Sequence, residues 1–229
     1  MTKKVLFIIL AVFAILVGLY PSIYFIMDRK FGLLNSKSDA LLNNIFWNIE
    51  FYSHIILGGL ALLIGWTQFS VRLRTKKLKL HKQIGRIYII ASLLSSMAAI
   101  YIALYATGGM IASLGFICLG ITWFYTTSRA YIEIKNKRID EHRKMMTYSY
   151  AACFSAVTLR VYLPLLTILF HEFTKAYLTV AWLCWIPNII VAYFLTRQFE
   201  NGKLKLSPTK IFAMAEATED QSAADQSRL

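Results

Sequence analysis

Four side chains fall where imidazole or guanidinium chemistry would be out of place in a plain apolar segment: His54, His81, His142 and Arg160 lie in, or open, long hydrophobic runs. An imidazole titrating at about pH 6.5 can move a proton or ligate a metal. A guanidinium inside an apolar span costs about 3 kcal/mol or more to insert, so it must face protein or water and meet an acceptor. His81 and His142 each open a run within a basic stretch, LHKQIGRIY and EHRKMMTYS. Brought to one depth, they could give two axial imidazoles to a b-type haem, with Lys82, Arg86, Arg143 or Lys144 pairing the propionates. The plainer alternatives are interfacial histidines bonded to phosphate, another divalent metal, or pairing with Glu141. Glu50, His54 and Arg160 form a second candidate, a polar site nearer the opposite face. Its plain alternative is a buried polar network that fixes helix register.

Spacing places these groups on helices. Glu50, His54, Gly58, Ala61, Gly65, Gln68 and Arg72 recur at steps of three and four, as one helical face requires. His81, Gly85, Tyr88, Ser92, Ser95 and Ala99 repeat the pattern, and so do His142, Met146, Ser149, Cys153, Ala156, Arg160 and Pro164. In lipid, such small and polar stripes turn toward neighbouring helices. Two inward-running helices that open with His suggest a parallel repeat, which would set His81 and His142 face to face. His54 and His81 also share H-x-x-x-G, through Gly58 and Gly85, and a glycine one turn from a ligating His would let a flat macrocycle lie against the helix.

The composition says what surrounds these helices. The chain has 229 residues, 57% hydrophobic and only 16% charged, with a mean hydropathy of +0.53. That leaves too little polar surface for a soluble domain of this size and points to a membrane protein. Apolar runs at about 5–27, 49–71, 87–106, 110–132, 145–170 and 176–199 are each long enough, or nearly so, to cross a hydrocarbon core of about 30 Å. No segment alternates as a β-barrel strand would. The fold class is therefore all-α and polytopic, with six transmembrane helices. The first run, preceded by Lys3 and Lys4, lacks a signal-peptidase pattern and reads as an uncleaved anchor.

Cations set the orientation. Arg72, Arg74, Lys76, Lys77, Lys79, Lys82 and Arg86 crowd one loop, and six more lie between Arg129 and Lys144, whereas the other side has only Arg29, Lys30, Lys37 and Lys175. The positive-inside rule puts both termini and both basic loops in the cytoplasm, an N-in/C-in arrangement in the inner membrane. The net charge of +13 is then spent on anionic lipid head groups, and no nucleic-acid motif accompanies it. Cys118, Cys153 and Cys184 share no ligand spacing and read as small core residues. Pro164 and Pro187 are expected to kink spans five and six. No Walker loop, dinucleotide turn, H-E-x-x-H or serine nucleophile motif occurs.

His54 with Gly58, Gln68 and Arg72, then H81-K-Q-I-G-R86, E141-H142-R143-x-x-M146 and V157-T-L-R160, together resemble the bacterial multi-pass membrane proteins catalogued as domain of unknown function 2306, over roughly residues 48–166. That resemblance implies several membrane helices and no established activity. In outline the bundle is also similar to the cytochrome b561 and ferric-reductase-like group. Those proteins place four His on four adjacent helices, whereas this chain has three near membrane depth and His171 at the outer mouth.

The expected organisation is an anchor helix and external loop over 1–47, a four-helix core over 48–170, a sixth helix over 171–200 and a disordered cytoplasmic tail over 201–229. The leading functional expectation is a haem b electron-transfer protein, a membrane oxidoreductase subunit with a redox partner or in a homo-oligomer. The alternative is a small-solute or proton-coupled transporter, or a membrane interaction protein, working through the outer polar site.

Overall fold

The computed structural model of the chain describes residues 3–27 and 30–204. Among these it is all-helical, with six helical stretches long and apolar enough to span a membrane: Phe7–Phe25, Ile45–Phe69, Leu78–Ala103, Met110–Lys135, Ile139–Phe170 and Phe173–Arg197. The expected tail at 205–229 lies outside the described residues. The chain divides into units of residues 1–190 and 191–229, and every candidate site residue belongs to the first. In the second, the helix continues from Val191 with exposed Tyr193, Phe194 and Leu195.

Span one is α1 (Lys3–Leu19) followed by a 3-10 segment, Tyr20–Phe25, with Pro21 in its first turn. A short α2 (Asp39–Leu42) leads to span two, α3 (Ile45–Gly65), which begins where Asn44 Oδ1 accepts from the Trp47 N–H at 3.0 Å. A surface helix, α4 (Val71–Lys76), joins it to span three, α5 (Leu78–Ala103). Span four is α6 (Met110–Lys135). Span three starts at Leu78, nine residues before the apolar run at 87, and span five starts at Ile139 instead of 145, so His81 and His142 sit inside first helical turns.

Spans five and six are each two helices. Span five breaks at Phe154 between α7 (Ile139–Cys153) and α8 (Ser155–Phe170), and span six between α9 (Phe173–Leu183) and α10 (Ile186–Leu204). Pro164 lies inside α8, which is not interrupted there. The break lies ten residues earlier, where hydroxyls compete for backbone acceptors, Ser155 Oγ donating to the Ala152 carbonyl at 2.6 Å and Thr158 Oγ1 to that of Phe154 at 3.2 Å. Pro187 does mark the span-six break. Asn188 Nδ2 donates to Thr158 Oγ1 at 2.9 Å and to the Cys184 carbonyl at 3.1 Å, while Thr158 Oγ1 reaches the Cys184 carbonyl at 2.7 Å. Side-chain amide and hydroxyl thus re-satisfy backbone freed at both breaks, as burial in an apolar medium demands.

In the bundle α3 packs along α5, α5 along α6, α6 along α7, and α1 along α3. The α1 and α3 backbones approach closely at Gly18 and Gly59, where a Cβ on Gly59 would stand 2.7 Å from the Gly18 carbonyl oxygen. Ala61, Leu62, Tyr88, Ala91, Trp123 and Tyr150 form the main core. Isoleucine, leucine and methionine side chains such as Ile8, Ile90, Met97 and Ile168 cover the outside, the surface a lipid-facing bundle presents.

Candidate functional site

Loops rich in Lys and Arg connect spans two to three and four to five, which gives the bundle a basic end and an opposite end. Near the opposite end, His54 lies nine residues into α3 and Arg160 ten residues before the end of α8. At 1.5 Å per residue, both are roughly 14 to 15 Å deep. They lie within electrostatic range of each other. His54 Nδ1 stands 3.1 Å from both the carbonyl and the Oγ of Ser95 on α5, and Ser95 Oγ donates to the His54 carbonyl at 2.9 Å.

Arg160 is held differently from the expectation. Its Nη1 donates to the Ala156 carbonyl, one turn back on its own helix, at 2.9 Å. Its Cζ lies 4.5 Å from the centroid of the Tyr20 ring, a cation-π contact, and Tyr24 is also within electrostatic range. Nε is buried without a hydrogen-bond partner. Glu50 is partly buried one turn outward of His54, and it is not the partner of Arg160. Among the described residues no carboxylate pairs with the guanidinium. Nor does a carbonyl beside Pro164 serve, because the long side chain points back along α8 toward Ala156, as helix geometry favours. Span one, read as an anchor only, therefore supplies two rings to this site.

Between the two ends, the polar face of α5 meets α7 and α6. Tyr88 OH lies 2.9 Å from Ser149 Oγ, which lies 2.7 Å from Thr127 Oγ1. Ser92, fully buried one turn beyond Tyr88, continues the row toward Ser95 and His54.

At the basic end, His81 and His142 are within electrostatic range of one another, and Arg74 of α4 acts on His81 as well. His142 Nδ1 meets the Ala130 carbonyl at 2.7 Å, so Nδ1 carries the proton and Nε2 is left open. His81 Nδ1 and Arg74 Nε are buried without hydrogen-bond partners. Burial and the neighbouring Arg143 hold the Arg74 guanidinium below its ordinary pKa. Arg86 and Arg143 are exposed.

The room expected for a macrocycle beside the glycines is filled. A Cβ on Gly85 would stand 3.2 Å from Gln68 Oε1, and one on Gly58 would stand 2.9 Å from Ser95 Oγ. At both H-x-x-x-G glycines the neighbouring side chain, Gln68 or Ser95, packs against the glycine face. No group of three or more His, Cys, Asp or Glu gathers as a metal site among the described residues.

Sequence reading missed several members. Tyr20 and Tyr24 were hidden in the aromatic background of span one, and Thr127 in an apolar run. Glu133, 2% exposed, bridges Arg129 at 2.7 Å and Arg138 at 3.4 Å. The i,i+4 spacing of Arg129 and Glu133 is the signal that could have revealed it.

A family model described as predicted membrane protein (DUF2306) matches residues 51–196, from the second turn of span two to the end of span six. No curated protein and no solved structure matches the chain.

Proposed function

Because the chain belongs to the family described as predicted membrane protein (DUF2306), its work is done in a bilayer, and we propose that this work is the proton-coupled passage of a small anionic solute. The observation that carries the proposal is Arg160. A guanidinium at membrane depth keeps a buried Nε–H without partner and, among the described residues, no carboxylate beside it. Its remaining donor capacity and its charge call for an acceptor from outside the chain. A carboxylate would meet Arg160 against the Tyr20 face, with His54 in range to give or take a proton.

Two further features support passage over simple binding. Hydroxyls at Ser95, Ser92 and Tyr88 follow one per turn along α5 from His54, and His81 lies two turns beyond Tyr88, past Gly85. The breaks in spans five and six lie within two turns of Arg160, and interrupted helices beside a midplane charge are how transporters build a site. In this reading the basic end faces the cytoplasm, by the positive-inside rule, and the membrane is the inner one.

The test is uptake of lactate, succinate and glutamate into proteoliposomes under an imposed pH gradient. At least one is expected to accumulate, and Arg160→Gln is expected to abolish it. Absence of both uptake and solute-dependent thermal stabilisation for every probe would refute the proposal.

A second reading keeps haem b between His81 and His142, with Arg86 and Arg143 for the propionates. It is favoured by the His142 arrangement, because a carbonyl on Nδ1–H with Nε2 open is how metal-bound imidazoles are held. Gln68 against Gly85 counts against it. A pyridine haemochrome assay on protein from haem-replete cells decides: a colourless preparation removes this reading, and haem lost in both His81→Ala and His142→Ala establishes it.

A further inference from the structure

The basic end carries a second site, independent of Arg160. From α4 through α5, residues 71–103 contain no Asp or Glu. Arg74 nevertheless has its Nε buried without partner, and the buried His81 Nδ1 beside it is likewise unpaired. His142 is within electrostatic range of His81, but with its Nδ1–H given to the Ala130 carbonyl its Nε2 is an acceptor and offers an oxyanion no donor. Arg143 acts on Arg74, although Asp140 and Glu141 share its helical turn. Neither α5 nor α7 is capped by a side chain at its start, so helix dipoles add positive potential where cations already gather. Donors left unpaired away from water destabilise the fold, the more so when they are charged. An oxyanion with several acceptor oxygens removes that cost, and Arg with imidazole is a pairing suited to phosphate.

We propose that Arg74 and His81 form a phosphate-binding site at the basic end of the bundle, whose natural occupant is the phosphate of a membrane phospholipid. The surroundings favour a lipid over free phosphate. Val71, Leu78 and Leu80 expose apolar side chains between Lys76, Lys77 and Lys79, which is the make-up of a segment lying in the head-group layer with its apolar residues toward acyl chains.

The experiment uses the full chain purified in phosphate-free maltoside micelles. Retained phosphatidylglycerol and phosphatidylcholine are measured by native mass spectrometry, and inorganic phosphate is titrated by calorimetry. Wild-type protein is expected to hold phosphatidylglycerol, and inorganic phosphate to displace it at higher concentration. Arg74→Gln and His81→Gln are each expected to weaken binding at least tenfold. Lys79→Gln, which removes an exposed charge from the same loop, should change it less than twofold. Phosphate binding with no lipid retained would keep the site and reassign its occupant to the free ion. Equal weakening by Lys79→Gln and Arg74→Gln would mean diffuse charge attraction and overturn the proposal, as would failure of both probes to bind.

Discussion

His54 and Ser95 hold one another in both directions: the imidazole Nδ1 of His54 sits 3.1 Å from the Ser95 carbonyl and hydroxyl, and that hydroxyl donates to the His54 carbonyl at 2.9 Å. The clamp locks spans two and three at the depth of Arg160 and fixes which imidazole nitrogen faces the site. Ser95→Ala is expected to cost about 0.6 to 1.7 kcal/mol, the range for interhelical hydrogen bonds in membranes. Thermal unfolding in detergent checks this, at about 2 to 4 °C per kcal/mol for a chain of this size.

Arg160→Leu is expected to abolish solute-dependent uptake and stabilisation while the protein still inserts and elutes as a single species. Adding Glu50→Gln should not restore function, because the two residues are not paired. Recovery in the double variant, measured by uptake, would show a coupling that the geometry does not contain.

Gly59→Ala places a methyl 2.7 Å from the Gly18 carbonyl, a backbone atom that cannot swing aside. The expected loss is about 1 to 3 kcal/mol of stability, as for overpacked cores. Solute affinity should fall as well, since Tyr20 sits two residues beyond Gly18 and covers Arg160. Gly58→Ala meets the Ser95 hydroxyl at 2.9 Å and the Trp123 ring at 3.9 Å, both side-chain atoms, and should be milder. Melting temperature and ligand titration compared across the two variants decide this.

Asn188→Ala removes the amide that ties Thr158 to the Cys184 carbonyl across the two helix breaks. About 1 to 2 kcal/mol should be lost, and hydrogen exchange should quicken at residues 151–158 and 182–188. Unchanged exchange there would show that the breaks are held by other contacts.

Lys37 staples the loops at the end of the bundle opposite the basic one, with Nζ donating to the Tyr105 carbonyl and, at 3.1 Å, to Thr107 Oγ1. Burial lowers its pKa from the ordinary 10.5. In the window between the folded and unfolded pKa values, the unfolded chain binds the proton and the folded chain does not, so stability from this group rises with pH up to about 10.5. Lys37→Met is expected to remove that rise, and melting curves taken across the alkaline range will show whether it does.

Six spans, the basic end and the inward faces of spans two, three and five were determined by the sequence alone. Hydropathy, charge placement and a step of three and four residues depend only on local composition and helix geometry. His54, Ser95, Tyr88 and Ser149 lie on the stripes that this spacing selects, and the structure packs those stripes together. Partners could not be read in that way. Glu50 was an eligible anion for Arg160 by depth, and only the packed bundle shows the guanidinium turned back to Ala156 and covered by Tyr20. Pro164 is the irregularity of span five visible in the sequence, whereas the break at Phe154, where hydroxyls and Asn188 from another helix supply the missing bonds, carries no such mark. A glycine beside a histidine promises space, but whether that space stays open depends on what the neighbouring helix puts there. Gln68 and Ser95 fill both clefts because rotation and register between helices are decided by the packing of whole faces, and no single run of the chain encodes that.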